Sequence, residues 1–495
     1  MANPLAEPAP PSARPLDVLI VGSGFAGLCL GIRLKEQGRH RFLILEAADS
    51  LGGTWRDNTY PGAACDVQSE LYSFSFALSP DWTRDYPAQG EILSYMERCA
   101  AQFGLDPHFR FGARVETASY HDGLGLWSVR TASGETYRAK ALVSACGALS
   151  RPSLPAIPGL DEFAGPSWHT SEWRHDVELK GKRVGVIGTG ASTIQLVPPV
   201  AERCSTLSVF QRTPPWILPK DDLPISPQRR FAFRHLPGAQ RAYRNWVYWR
   251  NELRVLPFTI YPRAMRHIQR QAERYIEESV ACPKLRERLT PDYTIGCKRI
   301  LISNDYYPTL QRPDVELITD GIEKITPGGV LLGSGRQVDL DALVLATGFH
   351  ASEGGLPFEV QGDSSKSLAD DWSSGPEAYL GTLVAGFPNM FLLVGPNTGL
   401  GHSSMILMIE SQTRYVLECL GLLRRRRLHS LAVRPAAQAR FNSRLQERLA
   451  KTVWASGCQS WYQTREGKNT TLWPGFTWEF RSKTRRVRRH DLILR

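Results

Sequence analysis

The chain has 495 residues, of which 42% are hydrophobic; on length alone it holds about three ordinary domains, each with a buried core. Its formal net charge is +11, which excludes an acidic disordered chain and favours anionic ligands. The nine cysteines are odd in number, scattered and without a Cys-x-x-Cys, so they are expected as reduced thiols in a cytoplasm, and a redox dithiol of the thioredoxin kind is excluded.

Residues 1–15, rich in Pro and Ala, read as a disordered tail. No signal-peptide pattern is present, and the longest apolar stretch, Val18 to Ile32, is broken by glycines, so stable membrane insertion is not expected. That stretch reads as strand, turn and helix. The strand Asp17 to Val21 runs into Gly22-Ser23-Gly24-Phe25-Ala26-Gly27, a turn whose backbone can approach a pyrophosphate at a helix N-terminus. The next strand, Phe42 to Leu45, ends at Glu46. A carboxylate there accepts hydrogen bonds from a free ribose diol and repels a 2′-phosphate, so this site suits FAD or NAD.

A polar and aromatic stretch follows, then a strand over 141–147 and the Pro-rich joint from Ser150 to Gly159. The strand Arg183 to Ile187 opens a second turn, Gly188-Thr189-Gly190-Ala191-Ser192, with Thr193 in place of a third glycine. Beyond the next strand, Leu207 to Phe210, the chain offers Gln211-Arg212-Thr213 instead of an acid, and a guanidinium there pairs with a 2′-phosphate. The second site therefore suits NADPH. Two turns with readers of opposite sign imply two different nucleotides.

An Arg- and aromatic-rich stretch over about 224–291 reads as a helical insertion. A strand over 341–348 resembles the one at 141–147, as though the chain leaves one domain, builds another and returns. The expected class is α/β with two Rossmann-like dinucleotide-binding domains: a FAD-binding domain over 16–150 and 341–495, and an NADP-binding domain over 151–340 inserted into it. A helix from Ser404 ends in Arg424 to Arg427, and a second basic run spans Arg481 to Arg489. Cations at a helix C-terminus favour its dipole, and no aromatic-interleaved module accompanies the runs, so nucleic acid is not expected as a partner.

Three further segments resemble the Baeyer–Villiger monooxygenase family. Phe163-x-Gly165-x-x-x-His169-x-x-x-Trp173 is similar to its fingerprint, Gly52 to Asp66 to its second signature, and Lys298-Arg299 to its Lys-Arg pair. The resemblance implies an enzyme that uses FAD and NADPH to insert one atom of O2 beside a ketone carbonyl through an anionic peroxyflavin, giving an ester or lactone. It assigns Arg299 to holding that anion and Asp66 to orienting Arg299. It places Ser23, Phe25, Ala26, Thr54, Trp55, Asp66, Tyr72 and Val115 with Gly22, Gly24, Gly27 and Glu46 around FAD. It adds Lys298 to Arg212 and Thr213 on the 2′-phosphate, with Gly188 to Ser192 on the pyrophosphate and Trp461 capping the nicotinamide nucleotide. Phe163, Gly165, His169 and Trp173 are then expected to set domain orientation rather than do chemistry, and no metal is expected. The substrate wall is expected from the helical insertion and the stretch from Asn397 to Met408, and the assembly is expected to be a monomer or a weak homo-oligomer. Two alternatives stay open: a flavin-containing monooxygenase that oxidises nitrogen or sulfur, and a non-catalytic NADP-binding flavoprotein.

Overall fold

In the computed structural model, residues 14–350 and 355–495 are described, so the tail expected over 1–15 lies almost wholly outside them. The first apolar runs become largely buried parallel strands, as sheets covered on both faces require. β1 (Leu16–Val21) leads through α1 (Phe25–Gln37) to β2 (Phe42–Leu45) and later to β3 (Phe109–Arg110). A meander of β4 (Val115–His121), β5 (Leu126–Thr131) and β6 (Thr136–Ser144) completes this stage. β6 lies parallel beside β1, with Val18 opposite Ala141 and Ile20 opposite Val143.

The chain then crosses to a second, wholly parallel sheet. Its strands are β7 (Ser167–His169), β8 (Arg183–Ile187), β9 (Thr206–Phe210), β10 (Val315–Ile318) and β11 (Ala342–Leu345), in the spatial order β10-β9-β8-β11-β7, and α2 (Ala191–Ala201) follows β8. Because β11 hydrogen-bonds to β7 and β8, the boundary expected at 340/341 falls too early: the second sheet keeps the chain through Leu345. The strand expected over 341–348 therefore closes the second sheet. After it the chain rejoins the first sheet through β12 (Glu359–Gln361) against β4 and β13 (Met390–Leu392) against β6.

Between β9 and β10 the Arg-rich stretch forms α3 (Pro227–His235), α4 (Ala239–Leu253), α5 (Met265–Ser279) and α6 (Pro283–Leu289). α3 starts where its sequence says it should: the Ser226 hydroxyl accepts the Arg229 N–H at 3.2 Å, and Pro227 takes the first helical position. These helices lean on the first unit. Arg229 reaches Asp85 and Glu70, each at 2.7 Å, and Asn251 donates to Gln68 at 2.9 Å. Finally α7 (Met405–Arg426), capped by the Ser404 hydroxyl, packs against α1, and α8 (Thr477–Lys483) packs on α7.

Candidate active site

The first glycine turn sits at the end of β1, and its geometry leaves no choice of residue at Gly22. Its φ is +104°, and a Cβ there would lie 2.7 Å from the Ala145 carbonyl oxygen. Glu46, buried at the tip of β2, is held from several directions: the Ser23 N–H donates at 2.9 Å, the Ser23 hydroxyl at 2.7 Å and the Ala48 N–H at 3.1 Å. Burial alone would raise its pKa, but these donors and the Arg56 guanidinium at 3.1 Å outweigh it and keep the carboxyl below its usual range. An ionised acceptor at this point fits a ribose diol. Trp55 and Tyr72 meet edge to face, joined by a 3.0 Å bond from the indole N–H to the phenol oxygen, and Tyr72 also packs on Phe25. Thr54 begins the short helix that carries Trp55, and Val115 is buried at the start of β4.

The second turn repeats the first. Gly188 has φ +123°, and a Cβ would come within 2.3 Å of the Ala346 carbonyl oxygen. The Thr189 hydroxyl donates to the Thr213 carbonyl at 2.8 Å, which fixes the segment after β9 beside the turn. Ala191 and Ser192 open α2, whose N-terminal N–H groups face the turn. Lys298 comes to the same place from a distant part of the chain. Burial, then the nearby Arg212 charge, pull its pKa below the ordinary lysine value. Among the described residues neither cation forms a salt bridge, and Lys298 lies over the Tyr293 ring at 4.7 Å. The Asp292 charge offsets part of that lowering without reaching Lys298 in a salt bridge, so two convergent cations form a place for a dianion.

The fold also brings together the pair expected to carry the chemistry. Arg299 donates through Nε to Asp66 Oδ2 at 3.0 Å, and Nη2 donates to the same oxygen. Both side chains are partly buried. The adjacent Asp66 charge holds the guanidinium above even its usual value, so it stays charged. Asp66 is positioned by its neighbours: the Cys65 N–H bonds Pro87 O at 2.9 Å, and just upstream Tyr60 donates to Gln195 of α2 at 2.9 Å. The second signature thus touches the second nucleotide fold directly.

Tyr462 completes this cluster and was not foreseen from the sequence. It is buried with its hydroxyl against Arg299, and burial pushes its pKa up to about 12, so it remains a neutral phenol. Its neighbour Trp461 is 42% exposed, with ring centroids 4.5 Å apart. The only signal was adjacency to Trp461. Cys297 and Cys458 form a disulfide that ties the Lys298-Arg299 segment to the loop before Trp461. This corrects the expectation of reduced thiols: packing brings together two cysteines that are remote in sequence, a pairing that no spacing reveals.

The fingerprint residues lie apart from Arg299. His169, buried at the end of β7, accepts the Ser171 N–H at 3.2 Å on Nδ1, and its ring faces the Gly348 backbone and the Phe349 ring. Burial lowers its pKa. Both chain crossings meet here, since the Ser153 N–H bonds Gly348 O at 2.8 Å. Trp173 packs edge to face on Trp168, and Phe163 is buried beside Gly165. His175, two residues past the fingerprint, bonds the Thr59 hydroxyl at 2.8 Å. From the expected substrate wall, buried His402 faces Glu252 of α4 at 3.6 Å, and Asn397 donates to Asn469 O at 2.8 Å.

Residues 19–237 match the family model described as pyridine nucleotide-disulphide oxidoreductase. Over 481 residues the chain is 48% identical to a Baeyer–Villiger monooxygenase of Pseudomonas aeruginosa, covering 97% of this chain and 91% of that one. It is 45% identical over 474 residues to another of Streptomyces coelicolor, covering 95% and 91%. Its fold is similar to the solved OTEMO complex with FAD and NADP, with a TM-score of 0.88 and 28% identity over 97% of this chain and 99% of that one.

Proposed function

The chain belongs to the Baeyer–Villiger monooxygenase family, and from that membership we propose that Asp66 and Arg299 serve its oxygenation step while Arg212 and Lys298 select its reductant. It is an FAD- and NADPH-dependent monooxygenase acting on a small ketone and O2. Bound FAD, once reduced by NADPH, supplies the activation of O2 that puts one oxygen atom beside the ketone carbonyl, giving an ester or lactone.

The protein's part is electrostatic. Arg299 presents a permanent positive charge that does not yield a proton at working pH, so it steadies developing negative charge without quenching it. Asp66 fixes the direction of the guanidinium, and the neutral Tyr462 hydroxyl lies against it. Glu46 takes the ribose of FAD, with the turn from Gly22 to Gly27 on its pyrophosphate and Thr54, Trp55, Tyr72 and Val115 around it. Thr213 stands with Arg212 and Lys298 at the 2′-phosphate, and Trp461 caps the nicotinamide nucleotide. His169, Phe163, Gly165 and Trp173 hold the two units in register.

The observation that carries this reading is the Arg299–Asp66 pair, with Lys298 next to it in the chain and Arg212 near enough to act on Lys298. It is tested with a ketone panel scored for ester, NADPH consumed and peroxide released. Wild type is expected to couple NADPH to ester, and Arg299→Ala to keep its FAD and still oxidise NADPH while releasing peroxide in place of ester. Ester at near wild-type rate in Arg299→Ala overturns the role of Arg299; sulfoxide or N-oxide with no ester from any ketone in wild type overturns the reaction class.

A further inference from the structure

Helix α4 is amphipathic in the wrong sense for a helix surrounded by water. Its inward face, at positions 240, 244, 247 and 251, is mostly polar: Gln240 donates to Ser79 O at 2.6 Å, buried Arg244 donates to Glu70 O, and Asn251 reaches Gln68. Its outward face carries Trp246, Trp249 and Leu253, which are 54%, 56% and 60% exposed and share one side at helical spacing. Phe231 and Tyr261 lie exposed on the flanking segments. Burying such side chains is worth roughly 1.5–3 kcal/mol each, so a face that leaves three in water while hiding an arginine needs an occupant.

Charge identifies that occupant. Residues 223–270 contain ten arginines, and their one carboxylate, Glu252, is buried and bonded to Thr477. Arg229 and Arg234 are ion-paired with Glu70, Asp85 and Asp81, and Arg244 is buried, while Arg241, Arg263, Arg266 and Arg270 are exposed and form no salt bridge among the described residues. Among the exposed arginines, Arg241 lies on α4 and Arg263 just beyond it. A second copy of this chain docking face to face would set these arginines against one another. An anionic lipid surface is complementary to both parts of the patch: tryptophans settle at the headgroup level, and arginines pair with the phosphates. Among the described residues no helix is long and apolar enough to cross a membrane, so this contact is peripheral.

We propose that the outward face of α4 docks the enzyme on anionic bilayers. The test uses the purified FAD-loaded enzyme with vesicles of phosphatidylcholine alone and of phosphatidylcholine with about one third phosphatidylglycerol. Co-sedimentation is expected only with the second kind and should disappear at high salt. The triple variant Trp246→Ser, Trp249→Ser, Leu253→Ser and, separately, Arg241→Glu with Arg263→Glu are expected to weaken binding about tenfold or more, at unchanged FAD content and NADPH oxidation. Either of three results overturns the proposal: no binding of wild type to anionic vesicles; binding that survives both variants and is lost instead when Arg485, Arg486 and Arg488 become Gln; or light scattering that shows a wild-type dimer turned monomeric by the triple variant, which would make the face an interface between copies.

Discussion

Burial and then the nearby Arg212 charge depress the Lys298 pKa, and Asp292 offsets this in part, so a bound anion between the two cations would relieve the remaining cost. Loss of one charge-assisted contact costs about 1.5–3 kcal/mol, so Arg212→Ala should raise the NADPH KM by roughly tenfold to a hundredfold and leave that for NADH nearly unchanged. Lys298 adds a pH signature. A lysine with a lowered pKa loses its charge at lower pH than usual, so NADPH binding is full on the acid side and falls as pH rises through that value. The NADPH KM should therefore climb at alkaline pH in wild type and stay flat in Lys298→Arg, whose guanidinium keeps its charge. Equal profiles in the two enzymes would remove Lys298 from the phosphate. His169 makes the opposite prediction. Buried against the Gly348 backbone with its pKa lowered, it should act through geometry, so His169→Ala should slow reduction and oxygenation together without changing the shape of the pH–rate profile. Loss of a limb near pH 6–7 in the variant would make it a proton-transfer residue.

At the scale of elements, the two loops proposed to build the oxygenation site are held together by the Cys297–Cys458 bond, which closes a sequence separation of 161 residues. A crosslink over so long a loop stabilises by about 2–4 kcal/mol, and here it also keeps Tyr462 against Arg299. Cys458→Ser, or wild type under a dithiol, should lower the melting temperature and shift product from ester toward released peroxide, because a Tyr462 free to move admits water beside the guanidinium. Unchanged coupling of NADPH to ester under the dithiol would limit the bond to a structural role. The strand, glycine turn and helix units at residues 16–37 and 183–201 were legible from apolar runs and glycine spacing, since both depend on local backbone sterics. The Ser404 start of α7 was legible for the same reason. The end of the second sheet was legible in part: the segment 341–348 was recognisable as a strand, although the boundary drawn at 340/341 set it apart from the second domain, and hydrogen bonding to β7 and β8 assigns it to the second sheet.

For the molecule as a whole, the insertion of one nucleotide fold within another makes both crossings meet at His169 and brings Tyr60 of the first unit onto Gln195 of the second. The amino-acid sequence alone determined the two glycine turns, the opposite signs of Glu46 and Arg212, and the motif residues of the family, because each of these rests on short-range geometry or on a side chain's own charge. Tertiary structure decided the rest. Arg299 meets Asp66 across 233 residues, Tyr462 joins them, Cys297 finds Cys458, and α4 turns its polar side inward and its tryptophans outward. In each case the partner is chosen by how distant elements pack, and packing of that range leaves no periodicity or spacing in the chain to be read beforehand.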